Sequence, residues 1–503
     1  MNSSLDIRET KKQLLRDELH RNLNRKDNIG RMSARERLSS LFDDGKYTEV
    51  LCFTNGTTGN GDVIPGDGVV TAYGYVNGKK VYAYSQDATL KGGSLGAVQA
   101  KKITTLQKWA LQEKTPIVAL LESGGARIQE GIGALNGYGE IFKLNSLSSG
   151  KILQIAVIFG SCAGGAVYSP ALMDFIFMVK DKSFMFITGK DVVAKVMGER
   201  VTSEELGGAS MHSTKSGVAH FVSDSELDAL KDVAEVLSYF QYSKKELKRS
   251  ALKNSKELGN IIPENPKKSY DIKDVINNLC DKDSFVEMNK DYAKNSVVGL
   301  ARIKGLSVGV VANQPCVLAG CLDINSSLKI SNFIKICNDQ GLPIVTLVDT
   351  PGYLPGKNQE QSGIINYGAK VLYAYSTATV PLISVVVRKA YGGAYIAMCS
   401  KSLGANRSYA WPNSEIAVLG AESAIVIIYR KELKTASDMN AFVAEKTQEY
   451  KKDIMNAFCA AEKGFIDDII DPDETRDRIY NDLSFLEEEK ETILKEKTNI
   501  LGL

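Results

Sequence analysis

Four stretches combine an apolar run with glycine in a way that suits chemistry. They are Ser123-Gly124-Gly125-Ala126-Arg127, CAGGAVY (162–168), TPGYLPG (350–356) and AYGGAY (390–395). Glycine lets a partner approach the main chain and permits positive φ. The N–H groups that open a following helix lack intrahelical partners and point outward. Two such donors aimed at one oxygen form an oxyanion hole, and one donor is worth about 2.7–4 kcal/mol in a dry site. A single Gly-Gly serves close helix–strand packing equally well; two equivalent Gly-Gly-Ala turns favour a chemical role. No nucleophile accompanies them. The three histidines, His20, His212 and His220, fall outside the glycine turns, which argues against a Ser-His-Asp triad. No G-x-x-x-x-G-K-[ST] loop, helix-opening G-x-G-x-x-G or G-x-S-x-G elbow is present. Removing a group alpha to a thioester carbonyl while backbone donors hold the carbonyl oxygen that becomes negative is the chemistry this pattern suits.

The elements that must position these turns occur twice. Pro116-Ile117-Val118-Ala119-Leu120 returns as Pro343-Ile344-Val345-Thr346-Leu347, 227 residues on. Gly78 and Gly305, Val81 and Val308, and Lys102-Ile103 and Lys329-Ile330 keep that offset. Ala163-Gly164-Gly165-Ala166 pairs with Tyr391-Gly392-Gly393-Ala394 at 228. Landmarks in order and in register mean two copies of one fold. Each copy reads as β-runs, a helix, an apolar strand ending in glycine, a second helix, a β-branched strand, then Gly-Gly-Ala. Alternating strands and helices predict a mostly parallel α/β layer. The boundary is expected near 250–270, in the polar stretch KKELKRSALKNSKELGNIIPENPKK.

Composition sets the class. A chain of 503 residues predicts two to four domains, or two large ones. A net charge of +2 gives no polyanion-seeking field, so nucleic-acid binding is not expected. The eight cysteines form no C-x-x-C and read as reduced core thiols of a cytoplasmic protein; no metal site is expected. The charged, helix-like N-terminus lacks the apolar segment of a signal peptide, and no run is long enough to span a membrane.

Longer motifs carry a resemblance. SGGARIQEG (123–131), CAGGAVYSPALMDF (162–175), ITGKDVV (187–193) and EELGGASMHSTKSGVAHF (204–221) resemble the N-domain of biotin-dependent acyl-CoA carboxyltransferases. VGVVANQP (308–315), AGCLDINSS (319–327), VDTPGYLPGKNQEQSGIINYGAKVLYAYSTATVP (348–381) and RKAYGGAYIAMCSKSLGANRSYAWPNSEIAVLGAE (388–422) resemble the C-domain. The resemblance runs from about Arg31 to Asp473. It implies two tandem crotonase-type (ClpP/crotonase) α/β domains, residues 1–255 on the acyl-CoA side and 256–503 on the biotin side. It also implies a homohexamer, a trimer of dimers in which one subunit's N-domain faces the partner's C-domain. The implied reaction moves a carboxyl group between carboxybiotin and the alpha carbon of a short-chain acyl-CoA, propionyl/methylmalonyl or acetyl/malonyl. The amides of Gly164 and Gly165 would steady the thioester oxygen, and those of Gly393 and Ala394 the biotin ureido oxygen. Biotin would itself be the base, which accounts for the missing protein base. Substrate contacts are implied at Gly92, Gly93, Gly124, Gly125, Ala126, Arg127, Ala163, Gly352, Tyr353, Tyr391, Gly392 and Ile396. Arg127 reads either as the residue that orders its loop or as an ion-pair partner of Glu122 or Glu130. Lys91 reads as a CoA-phosphate contact or, more simply, a solvated loop lysine.

The absences define partners. No A/V-M-K-M biotin-attachment motif, ATP loop or Cys-rich zinc ribbon is found. Biotin is therefore expected on a separate biotin carboxyl carrier protein, loaded by a biotin carboxylase, or shared with membrane decarboxylase subunits. The alternatives are the α subunit of a sodium-pumping methylmalonyl-CoA decarboxylase, running in reverse, and a non-catalytic crotonase-fold scaffold. A single-domain hydratase would need a Glu pair, and Glu122 and Glu130 are read as not repeating in the second copy. The tail DETRDRIYNDLSFLEEEKETILKEK reads as a charged helix.

Overall fold

A computed structural model describes residues 7–25, 30–57, 61, 63–240, 258–266 and 268–488. Contacts divide the chain into two units, Met1–Gln241 and Tyr242–Leu503. The boundary expected at 255/256 lies outside the described residues, as does the tail beyond Glu488. The helix of the tail runs Thr475–Glu488, and the charged N-terminal helix Ile7–Leu23.

Unit 1 is built on an eight-stranded sheet: β1 Tyr47–Val50, β2 Val69–Val76, β3 Lys79–Gln86, β4 Ile117–Ser123, β5 Gln154–Ala163, β6 Phe175–Val179, β7 Phe184–Phe186 and β8 Phe221–Ser223. The order is β1-β2-β3-β4-β5-β6-β8, with β7 paired to the end of β5. Pairing is antiparallel from β1 to β3 and parallel beyond. Unit 2 repeats the plan with β9 Val286–Met288, β10 Ser296–Ile303, β11 Leu306–Asn313, β12 Ile344–Thr350, β13 Leu382–Tyr391, β14 Arg407–Ala410, β15 Glu415–Ala417 and β16 Asp468–Ile469. Its order is β9-β10-β11-β12-β13-β14-β16, with β15 on β13.

Every residue of β4 and of β12 is buried, which is why both open on mainly apolar runs, IVALL and IVTLV, before the acid at the strand end: a parallel strand covered on both faces needs no polar alternation. The helix Ala97–Gln112 buries Ala100, Ile103, Leu106 and Ala110, one stripe at helical spacing. Ile324–Asp339 does the same work in unit 2 with Ile330, Phe333, Ile334 and Cys337. Of the cysteines, Cys52, Cys162, Cys280, Cys337 and Cys399 are buried thiols and Cys316 is exposed.

The duplication extends into side chains. Ser33 caps the helix Ala34–Leu41, and Asp271 caps Ile272–Leu279. Asp43 then accepts from Asn77 N and Gly78 N at the tip of the β2–β3 hairpin, and Asp281 from Lys304 N and Gly305 N at the matching tip. Lys102 donates from Nζ to the carbonyls of Gly66 and Val69, and Lys329 to those of Asn289, Tyr292 and Ser296. Burial pushes both ammonium groups down to about 8. The repeated Lys-Ile landmark is thus a buried staple between helix and loop.

Both sheets also carry the same irregularity. Leu121 pairs with Ile158, but Ser123 pairs with Cys162; Val348 pairs with Val386, but Thr350 pairs with Ala390. Three residues of the longer strand bulge opposite one, immediately before the glycine turns. A bulge re-aims a strand end.

Candidate active site: two glycine-lined strand ends

In unit 1 the loops after β3, β4 and β5 lie side by side at the carboxyl ends of parallel strands, where ligands of open α/β sheets bind. Gly124 N donates to Gly92 O at 2.9 Å, Leu95 N to Gly125 O at 2.8 Å and Arg127 N to Leu95 O at 2.9 Å. A Cβ on Gly93 would stand 2.0 Å from Glu122 O, and one on Gly125 (φ +99°) 2.8 Å from Ala163 O. Gly93 and Gly125 are therefore needed first because main chain meets main chain. Gly92, Gly93, Gly124, Gly125, Ala126, Arg127, Ala163, Gly164 and Gly165 form one cluster.

Arg127 does both things its sequence suggested. It is buried, with Nη1 at 2.5 Å from Asp67 Oδ1 and 2.6 Å from Glu130 Oε1, while Nη2 donates to Ser94 O at 3.0 Å. It pins the loop and pairs with Glu130, not with Glu122. Lys91 is exposed on its loop, at φ +53°.

Gly164 takes φ +59° and opens the short helical turn Gly164–Val167. Its N–H donates to Ile187 O at 3.1 Å. Gly165 follows at the first turn, where N–H groups have no intrahelical partner. The Tyr138 ring lies beneath it, 3.0 Å from where a Cβ would be.

Unit 2 repeats this geometry. Leu322 N donates to Gly352 O and Leu354 N to Leu322 O. Gly392 takes φ +58° and opens the helix Gly392–Ala397. A Cβ on Gly393 would meet nothing within 4 Å. Position by position, Gly393 and Ala394 match Gly165 and Ala166. Tyr353 sits against Gly368, and Ile396 is 44% exposed on the outer side of its helix. Burial and the neighbouring Glu415 push the Tyr391 hydroxyl up, and Glu415 also takes Lys451 Nζ at 2.7 Å. Gly320 was not singled out in the sequence, although it lies 227 residues after Gly93. It has the same left-handed backbone (φ +79°), and a Cβ there would stand 2.4 Å from Asp349 O.

Each bulge holds a buried carboxylate. Glu122 accepts from Arg37 Nη2 at 2.8 Å and Arg25 Nη2 at 2.6 Å, and Arg37 also pairs with buried Glu226 at 2.9 Å. Asp349 accepts from Arg388 Nε and from Tyr270 OH, both at 2.9 Å, and from Lys389 N at 3.3 Å. The acidic position at Glu122 thus does repeat, as Asp349, whereas Lys357 stands at the offset of Glu130. The sequence reading of a non-repeating Glu122 is corrected on this point, because the shorter Asp keeps the role. Glu122 is engaged by two arginines, and Asp349 by one arginine, a tyrosine hydroxyl and a backbone N–H, so neither is a free base.

Comparison with known proteins follows this geometry. The carboxyl transferase domain model matches residues 25–501. The chain is 49% identical over 473 residues to the carboxyltransferase subunit of propionyl-CoA carboxylase from Haloferax mediterranei, covering 92% of each chain. It is 46% identical over 478 residues to the methylmalonyl-CoA decarboxylase α subunit of Propionigenium modestum, covering 93% of this chain and 92% of that one. The crystal structure of the transcarboxylase 12S hexamer with methylmalonyl-coenzyme A bound superposes with a TM-score of 0.92 at 44% identity, covering 99% of this chain and 98% of that one.

Proposed function

The chain belongs to the carboxyl transferase domain family, and on that premise we propose that it moves a carboxyl group between a biotin carried on another protein and the alpha carbon of a propionyl/methylmalonyl-type acyl-CoA. One observation carries the reading. Two equivalent strand ends, at Gly164 and Gly392, turn through left-handed glycine (φ +59° and +58°) into a helical turn, and the N–H groups that open such a turn have no intrahelical partner.

The unit 1 turn takes the acyl thioester. Gly165 supplies an N–H to the oxygen that becomes negative, and Gly164 supplies the left-handed turn that aims it, its own N–H being held by Ile187 O. Gly124, Gly125 and Ala126 form the adjoining wall, fixed by the Arg127–Asp67 clip. The unit 2 turn takes the biotin ureido oxygen at Gly393 and Ala394. The residues present fit that group: Gly393 is exposed, and the space above it is open to a ring without a Cβ in the way. Biotin, once bound, supplies the transferable carboxyl and the nitrogen that takes the alpha proton. Accordingly this chain need supply no base, and Glu122 and Asp349 stay locked in their ion pairs. The assembly proposed is a homohexamer in the cytoplasm, served by a biotin carrier protein and its carboxylase. The decarboxylase α subunit is the second reading. It rests on the 46% identity to such a subunit, and it uses the same two turns in reverse.

The test is biotin-dependent decarboxylation of methylmalonyl-CoA and malonyl-CoA by the purified chain with free biotin. Gly393→Val is expected to fold, because its Cβ meets nothing, and to lose about 100-fold or more in rate. Full activity in Gly393→Val would sink the two-turn reading. No turnover of either ester by a well-folded wild-type chain would sink the short-chain assignment.

A further inference from the structure

His212 lies in the stretch EELGGASMHSTKSGVAHF, most of which the proposed chemistry leaves unused. It is buried and begins a π-helical turn, His212–Ser216, that stops at left-handed Gly217 (φ +71°). Such turns are rare and often accompany functional sites. Both ring nitrogens are engaged. Nδ1 lies 2.7 Å from Ser216 Oγ and Nε2 lies 2.8 Å from Met185 O. A carbonyl only accepts, so Nε2 carries the hydrogen and Nδ1 accepts from the Ser216 hydroxyl. Burial holds the ring below the ordinary histidine pKa, and it is neutral at physiological pH.

The residue it grips is one step from the acyl-side turn. Met185 is the middle residue of β7, which pairs with the end of β5 through Ser161–Phe184, Cys162–Met185 and Ala163–Phe186. Two residues on, Ile187 O accepts the Gly164 N–H. On its other edge β7 meets the 203–217 segment. Phe184 bridges to Gly208, and a Cβ on Gly207 would stand 2.0 Å from Met185 O. One edge of this three-residue strand therefore sets Gly164, and the other edge is held by the histidine. Unit 2 secures the matching strand, β15, differently. There Tyr391 OH and Lys451 Nζ both reach Glu415.

We infer that His212 is a positioning residue for the acyl-CoA side: as the Nε2–H tautomer it holds β7 against the Gly164 turn and so fixes where the Gly165 N–H points. The inference rests on the proposed assignment of that turn to the acyl thioester. Because no such bond is found among the described residues of unit 2, the effect is confined to one substrate.

The experiment is the biotin-dependent decarboxylation of methylmalonyl-CoA by the purified full chain, with methylmalonyl-CoA and free biotin each varied. Asn places its amide near Nδ1 and cannot reach Met185 O; Gln places its amide near Nε2 and can. His212→Asn is expected to lower kcat/KM for methylmalonyl-CoA about tenfold, with the KM for biotin unchanged. His212→Gln is expected to rescue it. Equal kinetics in the two variants, a parallel rise in the KM for biotin, or wild-type kinetics in His212→Asn would each overturn the inference. If His212→Asn does not fold, Ser216→Ala carries the test. It keeps the ring and removes the hydroxyl that donates to Nδ1 and steadies the ring; about a threefold fall in the same kcat/KM is expected, and wild-type kinetics would overturn the inference. Gly393→Val separates the two levels. An active Gly393→Val sinks the two-turn reading, whereas an inactive Gly393→Val beside a wild-type-like His212→Asn sinks the His212 inference alone.

Discussion

In unit 1 the bulge acid is Glu122 and its arginines come from outside the sheet, Arg37 from the helix Ala34–Leu41 and Arg25 from the N-terminal segment. In unit 2 the bulge acid is Asp349 and its arginine, Arg388, projects from the neighbouring strand β13. Gly160 occupies the place of Arg388 in unit 1, and a Cβ there would stand 2.6 Å from the Glu122 side chain. Val275 stands where the cap-to-cap match puts Arg37. The longer acid needs an empty strand position and reaches a helix; the shorter acid is met on the sheet itself. Buried ion pairs add little net stability over an apolar core. That an acid recurs at the bulge with a different arginine each time points to geometry: a carboxylate gathers the donors at a strand end that must then turn through glycine.

The two acids also differ electrostatically. Burial pushes Glu122 up, but Arg37 and Arg25 more than offset it, so its carboxyl lies below the ordinary value. Burial pushes Asp349 up further than Arg388 and Tyr270 pull it down, so its carboxyl lies above.

The strongest way to break this comparison is Arg37→Ala. It leaves Glu122 and Glu226 short of their shared cation and is expected to cost about 3–5 kcal/mol in urea unfolding. A cost below about 1 kcal/mol would mean that Arg25 and Arg31, whose Nη1 lies 3.8 Å from both Glu122 Oε1 and Glu226 Oε1, suffice, and that the helix-borne arginine is dispensable. Gly160→Ala comes next. Overpacking against Glu122 is expected to cost about 1–3 kcal/mol; neutrality would show that the acid swings aside and that the empty strand position is not required. Tyr270→Phe removes one of the donors to Asp349 and is expected to cost about 1 kcal/mol, read from the same curves.

The subtlest test is one of sign. Glu122, depressed on folding, contributes stability above its unfolded pKa and loses it as pH falls through its folded pKa. Asp349, raised on folding, contributes stability below its unfolded pKa and loses it as pH rises through its folded pKa. Stability measured between about pH 5 and pH 3 should thus change slope in opposite directions in Glu122→Gln and Asp349→Asn. Slopes that move the same way would end the electrostatic contrast between the units.

Much of this molecule was legible from residue order. The offset of 227 between Pro116 and Pro343 located β4 and β12, and the Gly-Gly-Ala pair located both turns, because backbone-determined positions repeat with the backbone. The long motifs from Ser123 to Glu422 identified the family. Side-chain partnerships were not legible. Arg127 finds Asp67, 60 residues earlier; Arg37 finds Glu226, 189 residues later; His212 finds the carbonyl of Met185. None of these keeps the repeat offset, since each partner arrives from an element whose place is set by packing. The sequence by itself determined the duplicated frame and its glycine turns, which depend on local φ freedom and strand patterning. Only the tertiary structure decided which N–H groups are spent and which face outward, and which cations steady each bulge, because those outcomes depend on distances across the fold rather than along the chain.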